Sequence, residues 1–143
     1  MRRALFTLPL LFGLALLAGC GKNDPQAALE AAVQELQGNI EGKKSGAVLD
    51  QLADDFRAQQ VNDRDWARRT MAMLFLRHQK IGVIAPAKHS WIDPSVSRRG
   101  YTEAKVGLTG AEGLIPDSAR LYDLKLEWWL EDGEWKLARL DWE

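Results

Sequence analysis

The segment Leu121–Trp142 constrains the fold of this chain more than any other. Read by parity, Tyr122, Leu124, Leu126, Trp128 and Leu130 share one side, and Asp123, Lys125, Glu127, Trp129 and Glu131 share the other. A period of two marks a strand buried on one face only. Asp132-Gly133 then supplies the residue pair that tolerates positive φ in a tight hairpin turn. The return strand Glu134–Trp142 carries Trp135 and Leu137 on one parity but Leu140 and Trp142 on the other. One extra residue near Ala138-Arg139, a β-bulge, reconciles the two halves. A hairpin with one apolar face needs a covering layer, because two strands alone are barely stable in water.

That layer is predicted upstream, where the apolar period is helical. Asp24-Pro25 reads as an N-cap followed by proline at the first helical position. Leu29, Val33, Leu36 and Ile40 recur at three- and four-residue spacing, which predicts an amphipathic helix over 25–41. Gly42-Lys43-Lys44 breaks it, and Ser45 is the expected cap of a second helix with Val48, Leu49 and Leu52 facing inward. Phe56–Val61 reads as a short strand. Asn62-Asp63-Arg64-Asp65 opens a third helix to about Gln79, with Trp66, Ala67, Thr70, Met71, Leu74, Phe75 and His78 on one arc. Arg68, Arg69, Ala72 and Leu76 fall opposite.

Beyond Lys80 the period changes to two. Ile81, Val83, Ala85, Ala87, His89 and Trp91 are expected on one face of an extended segment, with Pro86 marking a bend or edge. Ala104, Val106 and Leu108 alternate in a further strand that ends between Gly110 and Pro116. Helices first and an antiparallel meander afterwards predict an α+β domain over residues 25–143, its helices packed on the sheet.

The first residues follow a different logic. Met1-Arg2-Arg3 precedes a charge-free run that lasts until Lys22, is interrupted by Pro9 and Gly13, and contains Leu17-Ala18-Gly19-Cys20 near its end. A basic head, an apolar run and small residues compose an export signal rather than a membrane span. The tetrad resembles the bacterial lipobox, cut by the lipoprotein signal peptidase before a lipidated cysteine. The resemblance implies that residues 1–19 are a signal peptide and that Cys20 carries acyl chains, each buried methylene being worth about 0.8 kcal/mol of membrane affinity. Residues 20–24 are then a tether, its four residues Gly21–Asp24 reaching at most about 14 Å. Gly21 stands where an aspartate would resemble an inner-membrane retention signal, which implies the outer membrane, facing the periplasm.

Charge and cysteine content narrow the partners. With 19 basic against 20 acidic residues and a net charge of −1, no nucleic-acid partner is expected. One cysteine excludes an intramolecular disulfide, and two histidines make no metal site; no cofactor is expected.

The order of a helix pair, a short strand, a helix and long strands ending in the Trp-rich hairpin LKLEWWLEDGEWKLARLDW resembles the nuclear transport factor 2-like superfamily. The cystatin-like fold with fewer helices is the nearest competitor. The resemblance implies a strongly bent antiparallel sheet that forms a cone with its helices, the mouth often serving as a ligand pocket. Similar proteins include isomerases, dehydratases, polyketide cyclases and non-catalytic binding proteins, so the fold alone names no activity. No catalytic motif of those enzymes maps onto this chain residue by residue.

Candidate chemistry is sparse. His89 is expected on the buried face, where an imidazole could act as general acid or base with Tyr101 or Tyr122 as proton donor. The competing reading is an inert, hydrogen-bonded histidine at the rim. His78, in the last turn of the third helix, reads as structural. Asp54-Asp55 looks like paired carboxylates, but neighbours on a helix point about 100° apart and cannot share a proton. Trp129 lies on the polar parity of its strand, which suggests burial by something outside the monomer. The resemblance implies a homodimer through that sheet face, with stacking on a sugar ring or an isolated exposed tryptophan as the alternatives. Trp91 and Trp129 are the ligand or interface candidates. The expected function is a membrane-anchored module that binds a small hydrophobic or sugar ligand, or a protein; the alternative is a small isomerase or hydro-lyase using His89.

Overall fold

The computed structural model describes residues 24–110, 113–115 and 121–143. The predicted signal peptide and Cys20 lie outside the described residues. The chain runs α1 (Pro25–Glu41), α2 (Ser45–Asp50), β1 (Leu52–Ala58), α3 (Arg64–Arg77), β2 (Gly82–Ile92), β3 (Arg99–Gly110), β4 (Gly113–Ile115), β5 (Tyr122–Glu131) and β6 (Glu134–Trp142).

Both long helices begin where a carboxylate can meet an unpaired backbone N–H. Asp24 Oδ1 accepts from the Gln26 N–H at 3.0 Å and Asp63 Oδ1 from the Trp66 N–H at 3.1 Å. α2 differs from expectation: Ser45 is its first helical residue and no side chain caps it. β1 also starts earlier than predicted, at Leu52 rather than Phe56. Gln51 is the cause. Its side chain accepts from Asn39 Nδ2 at 2.9 Å and donates to the Ala32 carbonyl at 3.2 Å, while its own carbonyl accepts from the Leu137 N–H at 2.7 Å. Those three bonds end the helix and turn the chain into the sheet. Asp54 and Asp55 therefore stand on a strand and not at a helix end.

The sheet order is β1-β6-β5-β3-β2, with β4 on β3. β2, β3, β5 and β6 form the predicted antiparallel meander, but β1 runs parallel to β6, so the sheet is mixed. Residues 59–133 lie between those two strands, long enough for the crossover a parallel pair needs. The hairpin turns through positive φ at Asp132 (50°) and Gly133 (78°). Trp128 pairs with Leu137 and Glu127 with Arg139, which leaves Ala138 as the extra residue of a bulge. Trp135, Leu137, Leu140 and Trp142 thereby all face the helices.

The closed end of the fold is packed by Leu29, Val33 and Leu36 of α1 against Phe56, Leu126, Trp128 and Leu137. Gly100 of β3 permits this, since a Cβ there would sit 2.7 Å from Leu29 Cδ2, and Leu29 is fully buried.

β2 departs from the expected alternation. Its pairing with β3 shifts between Ile84 and Ala87, around Pro86. Val83 and Ala85 face inward before the shift, and Lys88 and Ser90 do so after it. One extra residue moves every later side chain to the opposite face. Ala87, His89 and Trp91 are consequently on the outer face of the sheet, not the buried one.

Candidate functional site: the cone cavity

Between the helices and the inner face of the sheet lies a cavity of about 480 Å³. α1 contributes Val33, Leu36, Gln37 and Ile40, and α3 contributes Trp66, Thr70 and Leu74. The sheet supplies residues of four strands, alternating as a pleat requires except across the β2 shift: Val83, Ala85 and Lys88 on β2, Thr102, Ala104, Val106 and Leu108 on β3, Tyr122, Leu124 and Leu126 on β5, and Leu140 and Trp142 beyond the β6 bulge. Trp66 stacks on Trp142 with ring centroids 6.0 Å apart, forming one wall from two elements distant in sequence. Thr102 and Leu126, paired across β3 and β5, are the innermost sheet positions, since the next pair, Gly100 and Trp128, is closed off by the core.

The size suits a small organic molecule, and the wall is overwhelmingly apolar. Its polar side chains are Gln37, Thr70, Lys88, Thr102 and Tyr122; no carboxylate and no imidazole lines it among the described residues. Lys88 Nζ lies 3.4 Å from Gln34 Oε1 on the exposed side of α1. Among the described residues no three His, Cys, Asp or Glu side chains come together as a metal ion needs.

The residues that sequence reasoning grouped as acid and base are not brought together. Tyr122 lines the cavity, whereas His89 and Tyr101 are on the outer face. There His89 is exposed and stacks on Trp91 at 5.2 Å, and Trp91 lies 5.6 Å from Tyr101. The Tyr101 hydroxyl donates to Asp93 Oδ2 at 3.2 Å. Asp93 Oδ1 accepts the backbone N–H groups of Ser95 and Val96 at 2.8 and 3.0 Å. Those bonds, Ser95 first, hold the Asp93 carboxyl below its usual range, while partial burial and then the facing Asp93 push the Tyr101 phenol above its usual 10. Tyr101 is thus a firmly protonated structural hydroxyl, a poor proton donor for catalysis near neutral pH.

Trp129 occupies the outer face, as its parity predicts, but its ring is not bare. The Arg139 guanidinium sits 4.9 Å from its centroid, and its Nε1 donates to Glu127 Oε2 at 3.2 Å. Arg139 is held in turn by the backbone and carboxylate oxygens of Asp55 at 2.7 and 3.1 Å.

Sequence reasoning missed Lys88, Ser90 and Thr102. Ser90 and Thr102 are buried, their hydroxyls 2.8 Å apart, and Thr102 Oγ1 accepts the Trp128 indole N–H at 3.1 Å. The parity of β2 reverses around Pro86, and the hydropathy of the residues after it does not show the reversal.

No family model and no curated protein matches the chain. Solved structures do. An NTF2-like protein of unknown function from Pseudomonas putida KT2440 superposes with a TM-score of 0.66 at 8% identity, over 82% of this chain and 84% of that one. The fold is nuclear transport factor 2-like. A candidate ketosteroid isomerase from Shewanella frigidimarina NCIMB 400 matches with a TM-score of 0.62 at 13% identity, over 86% and 98% of the two chains. Bd1075 of Bdellovibrio bacteriovorus gives 0.68 at 10% identity over 80% of this chain, which spans only 38% of that larger one. At these identities the likeness is one of fold.

Proposed function

We propose that this chain is a small-molecule binding module of the bacterial cell envelope, non-catalytic, with an apolar ligand seated in the cone. The observation that carries the reading is the cavity wall: about 480 Å³ lined mostly by aliphatic and aromatic side chains, with no carboxylate or histidine among the described residues to move a proton. Burial of apolar ligand surface at roughly 25 cal/mol per Å² supplies the affinity. The isomerase and dehydratase descriptions attached to some structural neighbours belong to those proteins. In this chain His89 lies outside the cavity, so an acid–base reaction there has no imidazole to draw on.

The Leu17-Ala18-Gly19-Cys20 tetrad supports anchoring by lipid on Cys20, at the outer membrane facing the periplasm. Trp129 supports a homodimer through the outer sheet face, with Arg139 as the ring's partner within the monomer.

Native mass spectrometry of the chain expressed in a periplasm and purified gently tests the ligand. An added small-molecule mass that disappears in Val106→Trp, with unchanged circular dichroism, is the expected result. A bare protein that also takes up no apolar compound on titration refutes the binding reading. For the anchor, Cys20→Ala should leave the membrane fraction; retention there would sink it.

A further inference from the structure

The cavity's inner end has one more hydrogen-bond donor than the protein can use. Three groups meet there: the indole N–H of Trp128, fully buried, and the hydroxyls of Ser90 and Thr102, 8% and 1% exposed. Together they carry three polar hydrogens. Two bonds join them, Trp128 Nε1 to Thr102 Oγ1 at 3.1 Å and the Ser90–Thr102 hydroxyl pair at 2.8 Å. Whichever hydroxyl donates in that pair, the hydrogen of the other has no acceptor among the described residues. A buried donor without a partner costs on the order of 1–3 kcal/mol, so native structures rarely leave one.

Of the two hydroxyls, Thr102 lines the cavity and Ser90 does not. When Ser90 donates to Thr102 Oγ1, that oxygen accepts from Ser90 and Trp128 together, and its own hydrogen is left for a group in the cavity that Thr102 lines. Gln26 Nε2, which donates to the Ser90 carbonyl at 2.8 Å, braces this part of β2 against α1. The side chains of Leu126 and Ala104, beside Thr102 in the wall, are apolar.

We infer that the ligand is an apolar molecule carrying a hydrogen-bond acceptor oxygen at its inner end, and that Thr102, oriented by Ser90 and Trp128, is the donor that selects it. The inference rests on the cavity being a binding site. A site built to hydrogen-bond one ligand atom discriminates far more sharply than an apolar wall that adds or loses a methylene.

The test compares decalin with 2-decalone, which share a skeleton and differ by one carbonyl oxygen. Affinities are measured for the full chain and for Thr102→Val and Thr102→Ser, and the carbonyl stretch of bound 2-decalone is recorded by infrared spectroscopy. Thr102→Val should weaken 2-decalone about tenfold while leaving decalin unchanged, and Thr102→Ser should restore the ratio. If both compounds bind and the ratio is the same in all three proteins, the inference falls and the cavity reading stands. If neither binds, both fall. Should Thr102→Val not fold, the unaltered protein decides: a carbonyl band shifted down to the hydrogen-bonded position supports Thr102 as donor, and a band at its apolar-solvent position overturns it.

Discussion

Deleting Ala138 should cost this protein most of its stability, although the residue removed is only an alanine. Ala138 is the extra residue that lets Trp135 and Leu137 share a face with Leu140 and Trp142. Without it, one half of β6 must present the opposite parity. The half before the bulge holds Trp135 and Leu137, 5% and 2% exposed, so the chain gives up the half after it. Leu140 and Trp142 are half-buried, and turning them outward loses about 2–3 kcal/mol in total. The Trp66–Trp142 stack at 6.0 Å goes with them, about another 1 kcal/mol. Asp141 would turn onto the apolar wall, at about 2 kcal/mol or more. The sum, roughly 5–6 kcal/mol, matches the lower end of the whole stability of a domain, about 5–15 kcal/mol. Guanidinium unfolding followed by tryptophan fluorescence, with near-ultraviolet circular dichroism, measures it. The deletion should lose its cooperative transition, whereas Ala138→Gly, which keeps the residue count, should cost only about 1 kcal/mol. A deletion variant within about 1 kcal/mol of the parent would refute the idea that the bulge holds the register.

Four further outcomes are expected. Asp63 and Asp93 both titrate below the usual carboxylate range, chiefly through backbone N–H bonds from Trp66 and Ser95; the unfolded chain therefore binds more protons, and their stabilisation, present above about pH 4, is lost as pH falls through the folded-state values. Asp63→Asn and Asp93→Asn should flatten the acid limb of a stability–pH curve. Tyr101 shifts the other way, so stability should decline as pH rises past about 10, less so in Tyr101→Phe; alkaline urea titrations show whether it does. His89→Ala should change unfolding stability by no more than about 0.5 kcal/mol and leave ligand uptake intact, and a loss of uptake would return His89 to the site. Trp129→Glu should sediment as a monomer if the outer sheet face pairs two copies; an unchanged sedimentation coefficient counts against that interface.

Much of the architecture was legible because it depends on local period. The helices at 25–41 and from Asp63 onward, the hairpin at Asp132-Gly133 and the bulge at Ala138 each follow from residues near in sequence. The Ala138 bulge could be read because Trp135, Leu137, Leu140 and Trp142 are large and apolar, so their change of parity is visible. At Pro86 the same device was illegible. The residues that turn inward after it are Lys88 and Ser90, and those that turn outward are Ala87, His89 and Trp91, so hydropathy pointed the wrong way.

By itself, then, the sequence determined the kinds of element, their order and the sidedness of the terminal hairpin, since each rests on φ/ψ preference and periodic apolar faces within about twenty residues. Only the tertiary structure decided that β1 joins β6 in parallel, that His89 leaves the cone and Thr102 enters it, and that the wall of the cavity is free of carboxylate and imidazole among the described residues. These depend on the register between strands distant in sequence, where one inserted residue exchanges the two faces of a strand.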